Sequence, residues 1–347
     1  MEGSVLVIGG GIAGIQISLD LTELGFKVYL VEKSPSIGGR MAQLDKTFPT
    51  LDCSLCILAP KMVEVYRNPN IELMTYHEVL QVDGEPGDFT AKILKKPRYV
   101  DETKCKGCGE CSNKCPKILV PNTFEMNIGK RKSVYIPFPQ AVPPIYLIDP
   151  EMCLYLKKGV CQVCKKVCTA DAIDFEQKPE EFEIKVGAVV VATGYEMPVE
   201  ELSSRWGYNY ENVVSALEYE RILCASGPFG GHVKRLSDDE EPEVIAFVQC
   251  AGSRDLHENV PFCSSVCCTY TAKQAIITQE HSDNSECYVF RHDIRAYGKN
   301  FYEFTQRAQE EYGVKYFQSK ISTIEEDPDT KDLIIRYEDL KTGEFKN

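Results

Sequence analysis

The sequence predicts an α/β protein in three parts. A domain of βαβ units around a parallel sheet is interrupted by a cysteine-rich α+β insert and followed by a second α/β unit. Three observations predict this. Ser4–Glu32 holds an apolar run, a G-x-G-x-x-G turn, a helical stretch and a second apolar run. Eight cysteines stand between Cys105 and Cys168 at two related spacings. An apolar strand, Phe182–Ala192, resumes after them. The boundaries read as 1–95 and 178–215 for the first domain, 96–177 for the insert and 216–347 for the second α/β unit.

Val5–Ile8 is a strand, Ile12–Leu24 has helical periodicity, Gly25 stops it, and Lys27–Val31 is a second strand ending in Glu32. In this Rossmann unit Gly9 allows the tight turn, and Gly11 lets a pyrophosphate approach the helix N-terminus, where free N–H groups and the dipole favour anions. Gly14 lets helix and strand pack closely. Glu32 is placed to hydrogen-bond a ribose hydroxyl, with Lys33 beside it. Ser36-Ile-Gly38-Gly39-Arg40-Met41 resembles the second glycine pair of two-dinucleotide flavoproteins, which favours FAD over NAD. The plainer reading is a glycine-rich loop with a surface Arg. Cys53 and Cys56 leave three readings open: a redox dithiol facing the flavin, two ligands of a cluster completed elsewhere, or two reduced, half-buried cysteines. Ile71–Met74 and the alternating stretch to Lys95 read as strands.

Composition bounds the rest. The chain has 347 residues, a formal charge of −13, 43% hydrophobic residues and 16 cysteines. The acidic balance argues against a nucleic-acid or acidic-membrane partner. No run of about 18 apolar residues exists, so no transmembrane helix is expected. The chain opens on a strand with no leader pattern before it. Cysteine excess in a chain read as cytoplasmic favours metal ligation over disulfides.

The insert runs Cys105-x2-Cys108-x2-Cys111-x3-Cys115-Pro116 and then Cys153-x7-Cys161-x2-Cys164-x3-Cys168. The first is the spacing of a bacterial ferredoxin site and the second repeats it with a longer first gap. A zinc site is a poor match to these spacings. In a two-cluster ferredoxin the fourth cysteine of each run crosses to the other cluster. One [4Fe-4S] cluster is therefore expected on Cys105, Cys108, Cys111 and Cys168, the other on Cys153, Cys161, Cys164 and Cys115. Gly107 and Gly109 leave N–H groups for cluster sulfurs.

The returning strand ends in Ala192-Thr193-Gly194 and resembles the strand that rejoins the FAD sheet in two-dinucleotide flavoproteins, which implies that these three residues contact the cofactor. Its position makes the cysteine block an insertion, held in fixed orientation to the flavin. Val244–Val248 opens the second α/β unit, where a nicotinamide domain would show G-x-G-x-x-G. Cys250, Cys263, Cys267 and Cys268 stand there instead, which points to a third, atypically ligated cluster. Thr269–Glu280 and Phe301–Gln309 read as helices, Glu286–Arg291 and Val314–Phe317 as strands. Cys224 and Cys287 have no partners at ligand spacing. His77, His232, His257, His281 and His292 are scattered and suggest no catalytic pair.

With Gly38-Gly39-Arg40, Leu51-Asp-Cys-Ser-Leu-Cys56 through Val65, the inserted cysteines, Gln249-Cys-Ala-Gly-Ser-Arg-Asp255 through Cys268 and Arg295-Ala-Tyr-Gly-Lys, the chain resembles the A subunit of heterodisulfide reductase over essentially all its residues. The resemblance implies a thioredoxin-reductase-like FAD domain with an inserted two-cluster ferredoxin domain and a further cluster on the Cys250 set. It implies an oxidoreductase subunit that passes electrons between a donor module, hydrogenase- or formate dehydrogenase-like, and B- and C-like subunits. In methanogens the FAD of such subunits bifurcates electron pairs. Family members also carry an extra N-terminal domain and a C-terminal ferredoxin domain. A short or split form is therefore expected, within an obligate complex that has a homodimer core or a second A-like chain. The alternative is a flavin-dependent disulfide reductase using the Cys53/Cys56 dithiol.

Overall fold

The computed structural model describes residues 3–197, 206–256 and 260–347. The chain forms two compact units. One comprises Met1–Gln43 and Ser54–Tyr195, the other Leu44–Cys53 and Glu196–Asn347. Relative to a boundary at 215/216, the second unit begins earlier and also takes in Leu44–Cys53.

In the first unit, β1 (Ser4–Ile8), α1 (Ile12–Glu23) and β2 (Lys27–Glu32) form the βαβ motif. Gly25 ends α1 in a left-handed conformation (φ +88°). Its N–H bonds Thr22 O at 3.0 Å and that of Phe26 bonds Leu21 O at 3.1 Å, so the last carbonyls of the helix are satisfied. Next come α2 (Ser54–Arg67), β3 (Ile71–Thr75), β4 (His77–Glu85) and β5 (Asp88–Lys95). Leu58, Met62 and Val65 recur at helical spacing in α2 and are fully buried. Each such side chain contributes about 1.5–3 kcal/mol relative to exposure.

The insert follows, with α3 (Glu110–Asn113), the short strands β6 (Val120–Pro121), β7 (Lys130–Arg131), β8 (Val134–Tyr135) and β9 (Leu147–Ile148), then α4 (Leu154–Lys158) and α5 (Val163–Val167). The chain returns through β10 (Glu180–Val186) and β11 (Ala188–Val191). The run expected as one strand, Phe182–Ala192, is thus two strands in different sheets. Gly187 divides them, and its N–H bonds Ser4 O at 2.9 Å. β10 pairs antiparallel with β5 in the three-stranded sheet β10-β5-β4. β11 pairs parallel with β1 in the sheet β11-β1-β2-β3. Residues 96–177 therefore leave from one strand and come back to its neighbour.

The insert shares the core of the nucleotide fold. Phe138, Ala141 and Val142 are buried in one cluster with Val5, Val7, Ile15, Leu58 and Met62. Arg98, 3% exposed, pins its entrance, donating to Pro35 O at 2.9 Å and Thr75 Oγ1 at 2.6 Å.

In the second unit are α6 (Ala216–Leu223), β12 (Val244–Val248), α7 (Cys267–His281), β13 (Glu286–Arg291), α8 (Phe301–Glu310), β14 (Lys315–Glu326), β15 (Leu333–Asp339) and β16 (Glu344–Lys346). Their sheet has the order β12-β13-β14-β15-β16, parallel through β14 and antiparallel after it. A complete capping box starts α6, with Ser215 and Glu218 each bonding the other's backbone N–H. α7 packs against α6, α8 and β13 and is buried over most of Cys267–Thr278. The polar groups within it are paired: Lys273 meets Glu220 at 2.6 Å, and Gln274 donates to Glu220 at 2.9 Å. Among the described residues no helix is long and apolar enough to cross a membrane. His257 lies outside the described residues.

Candidate functional site: dinucleotide loops and three thiol groups

The loops after β1 and β2 form the first site. Gly9 takes φ +108°, and a side chain on it would collide with the Ala192 carbonyl. Ala192 is held there because its N–H bonds Ile8 O at 2.8 Å. A Cβ on Gly14 would collide with Gly9 O, which is the close helix–strand approach the motif requires. In front of Gly11 there is open space, with nothing within 4 Å of a built Cβ. Gly11 is the N-cap of α1 and no side chain caps the helix. An open cradle facing uncapped N–H groups fits a dinucleotide pyrophosphate.

Glu32 stands at the end of β2, buried, with both carboxylate oxygens engaged by backbone. Gly10 N–H donates to Oε2 at 2.6 Å and Ser34 N–H to Oε1 at 2.7 Å. Its first role is therefore to lock the two loops; a ribose hydroxyl could use only the remaining lone pairs. Lys33 beside it is exposed. Gly38 N–H bonds Gly10 O at 2.8 Å, which seats the second glycine pair on the first. A Cβ on Gly39 would stand 2.9 Å from Gly11 Cα. Arg40 and Met41 lie in a 3-10 turn over Gly39–Gln43. Arg40 bonds Gln43 Oε1 at 3.0 Å and lies over the Tyr195 ring at 5.9 Å. Thr193 and Gly194 follow Ala192 at the exposed end of β11.

Besides Arg98, three residues of the insert touch these loops. Gln43 Nε2 donates to Phe124 O at 2.7 Å, Arg40 reaches Met126 Sδ at 3.8 Å, and Val142 N–H donates to Ser36 Oγ at 2.9 Å. Sequence reasoning missed Phe124, Met126 and Val142, which carry no motif.

Eight thiols of the insert line two cavities. One is lined by Cys105, Cys108, Cys111 and Cys168, the other by Cys115, Cys153, Cys161 and Cys164. The packing of α3 on α5 brings the two runs together. Gly107 (φ +66°) and Gly109 (φ +82°) are both left-handed, as the tight loop around Cys108 demands. Ala172 N–H donates to Cys168 Sγ at 3.3 Å. Burial pushes the Cys111 thiol up to about 12 and the Cys164 thiol to about 11, and the neighbouring thiols add to both. Such cavities hold thiolates only with compensating positive charge, which cluster iron supplies. Among the described residues no three His, Cys, Asp or Glu side chains converge on a single-ion site. Four thiols spread around a cavity suit a cubane, where each thiolate binds a different iron. Residues and cofactors fit.

The third group lies at the C-terminal end of β12, where ligands bind in open α/β sheets. Cys250 is left-handed (φ +63°). Cys267 and Cys268 begin α7. Cys267 accepts from the Cys250 and Cys268 thiols, which holds it far below the ordinary thiol range and raises its two donors. Ser264 also reaches Cys267. Cys263 is placed by Ser265, whose N–H donates to its Sγ at 3.3 Å. Arg295 N–H donates to Cys268 Sγ, again at 3.3 Å. Arg254 lies against Cys250 and pairs with Asp293. Sequence reasoning quoted Gln249, Arg254 and Arg295 without giving them roles.

Cys53 and Cys56 are the disulfide-bonded cysteines, and the other fourteen are free thiols. Both are exposed, and Cys56 points away from the buried Leu58–Met62–Val65 face of α2. The reading as two reduced, half-buried cysteines is therefore corrected.

Comparison with known proteins agrees with this geometry. Residues 7–65 match the family model of an NAD(P)-binding Rossmann-like domain, and residues 98–117 that of a 4Fe-4S binding domain. The iron-sulfur A subunit of the CoB–CoM heterodisulfide reductase of Methanocaldococcus jannaschii is 50% identical over 99% of the chain and 52% of its own length. The A subunit of the H(2)/formate:CoB-CoM heterodisulfide,ferredoxin reductase of Methanococcus maripaludis is 49% identical over 99% of the chain and 52% of its own length. The chain thus spans about half the length of the curated relatives it matches. A thioredoxin reductase of T. acidophilum aligns with 99% of the chain and 72% of its own at 11% identity and a TM-score of 0.47, too loose to carry an argument. Over nearly its whole length the chain is thus similar to about half of the heterodisulfide reductase iron-sulfur A subunit.

Proposed function

We propose that the chain is the electron-transfer iron-sulfur flavoprotein component of a heterodisulfide-reductase-like complex. One observation carries this reading: two four-thiol cavities and the dinucleotide loops lie in one compact unit, joined through Gln43–Phe124, Arg40–Met126 and Ser36–Val142. When bound, FAD would exchange electrons in pairs or singly, and [4Fe-4S] clusters would exchange them singly. Gly11 and the first turn of α1 hold the pyrophosphate, Glu32 and Lys33 the ribose, and Gly39, Arg40, Met41 and Ala192–Gly194 the flavin half. The two insert cavities hold a cluster each, and Cys250, Cys263, Cys267 and Cys268 hold a third. The core shared by Phe138, Ala141 and Val142 supports this reading, because it packs the insert onto the nucleotide fold. Partners are B- and C-like heterodisulfide reductase subunits, a hydrogenase- or formate dehydrogenase-like donor module, and a second A-like chain in a homodimer core, in the cytoplasm. The donor accords with the hydrogen and formate in the name of the Methanococcus relative. Division of electron pairs between a high- and a low-potential partner is part of the reading.

Anaerobic flavin, iron and sulfide content tests it. One FAD and about twelve irons per chain are expected, from three clusters of four. Absence of flavin, or about four irons, overturns it.

A second reading is favoured by the exposed Cys53/Cys56 disulfide, open to exchange with an external disulfide or thiol. It is a flavin-dependent disulfide reductase with this pair as the catalytic dithiol. It predicts that Cys53→Ser abolishes turnover and the flavin–thiolate charge-transfer band. Unchanged turnover in that variant excludes it.

A further inference from the structure

The third thiol group has a polar neighbour whose hydrogen bonding is incomplete. Gln249 is the first residue after β12 and is 6% exposed. Its backbone N–H bonds Phe290 O at 3.0 Å, so its place in the chain is fixed. The side-chain carboxamide is half satisfied. Oε1 lies 3.7 Å from Cys268 Sγ, where it competes with Cys267 and Asp293 O for the one S–H proton, while Nε2 is buried with no hydrogen-bond partner. A buried N–H donor without an acceptor costs about 1–3 kcal/mol, so its retention asks for an explanation. A second buried donor, Tyr316 Oη, also lacks a hydrogen bond, and its phenol interacts electrostatically with Cys268.

A protonated thiol tolerates an amide oxygen facing it at 3.7 Å, since S–H can donate to that oxygen. A cysteine that ligates iron has lost that proton, and its sulfur is an acceptor only. An amide oxygen facing it would then be repulsive. The two ends of a carboxamide are nearly isosteric, so a half-turn about its last torsion puts Nε2–H on Cys268 Sγ at no packing cost. The same half-turn takes Nε2 out of the position where it has no partner. The half-turn gives the amide N–H an acceptor and removes the oxygen facing the thiolate, while Oε1 takes the buried position that Nε2 leaves.

We propose that Gln249 is a tuning residue of the third cluster, donating an N–H···S bond from its side chain to Cys268 Sγ alongside the Arg295 N–H. This rests on the reading that Cys250, Cys263, Cys267 and Cys268 hold a cluster. Reduction adds negative charge to a cluster and its thiolates, so each N–H donor favours the reduced form and raises the potential. The two insert cavities are lined by residues 100–175 and serve as internal controls.

Three variants of the flavin- and iron-loaded protein test this by redox titration followed by electron paramagnetic resonance. Gln249→Leu and Gln249→Glu both lack the donor at nearly the same volume. Expected is a full iron count, unchanged insert-cluster potentials and a third-cluster potential lowered by about a tenfold change in its reduction ratio, about 59 mV for one electron. Gln249→Glu should fall further, through its charge. An unchanged third-cluster potential in Gln249→Leu at full iron content overturns the proposal. If these variants do not fold, the parent protein labelled with side-chain 15N-glutamine is decisive: a 15N coupling to the reduced third cluster supports the proposal, and its absence overturns it. Cys268→Ala separates the two levels of the argument. Loss of about four irons supports the cluster, whereas unchanged iron removes the cluster and the proposal with it.

Discussion

Cys168 and Cys111 line the same cavity although they belong to different cysteine runs, and Cys115 crosses in the opposite sense to join Cys153, Cys161 and Cys164. Each cavity therefore draws three thiols from one run and one from the other. Ligand loss should follow the cavities, not the runs. Cys168→Ala should cost about four irons and the signal of the Cys105–Cys108–Cys111 site, leaving the Cys153–Cys161–Cys164 site intact. Cys115→Ala should do the reverse. Iron analysis with electron paramagnetic resonance of both variants checks this; loss of the site within the mutated run would contradict it.

The glycines of the first turn should separate folding from cofactor binding. A Cβ on Gly14 collides with Gly9 O, whereas one on Gly11 meets nothing. Gly14→Ala should destabilise the chain by about 1–3 kcal/mol, the usual overpacking cost. Gly11→Ala should leave the unfolding midpoint nearly unchanged but weaken flavin binding at least about tenfold, because the methyl fills the space a pyrophosphate needs. Urea unfolding and flavin titration on the same two variants distinguish the effects. Equal loss of stability in both would show that the open space before Gly11 is not a binding cradle.

Much of the fold is legible because its signals are local. The periodicity of Ser4–Glu32, the alternation up to Lys95 and the apolar run Val244–Val248 each specify their own element. The division of Phe182–Ala192 is not local. Gly187 interrupts the run only because Ser4 O bonds its N–H and β5 claims the preceding residues. The site shows the same limit. The spacing at Cys105–Cys115 names ligand chemistry, but the seat of Phe124, Met126 and Val142 against Gln43, Arg40 and Ser36 depends on how a loop returns across the fold. Gln249 is invisible for another reason: a glutamine after a strand carries no signal until its neighbours are known.

Arg98 should be the most sensitive charge at the entrance to the insert. It satisfies Pro35 O and Thr75 Oγ1 in a buried setting and pairs with Glu102 at 2.6 Å. Burial lowers its affinity for the proton while Glu102 opposes that shift. Arg98→Met keeps the aliphatic stem and strands its acceptors, at a net cost of about 1–3 kcal/mol. The loss should appear as earlier urea unfolding and faster proteolysis of residues 96–177. Unaltered proteolysis would mean that the insert is held by its apolar contacts alone.

His77 should give the fold a measurable acid sensitivity. Burial lowers its pKa below 6.5, against the opposing bond to Thr75 O at 2.8 Å. That bond places the proton of the neutral ring on Nδ1, and the ring lies edge-on to Phe182 at 6.1 Å. The folded chain thus holds the proton less tightly than the unfolded one. The stability contributed by neutral His77 is present above the unfolded pKa of about 6.5 and is lost as the pH falls through it toward the lower folded value. His77→Gln keeps a polar side chain but removes the titration. The urea midpoint of the parent should fall more between about pH 7.5 and pH 5.5 than that of the variant. Parallel pH dependences would show that His77 titrates alike in the folded and unfolded chain.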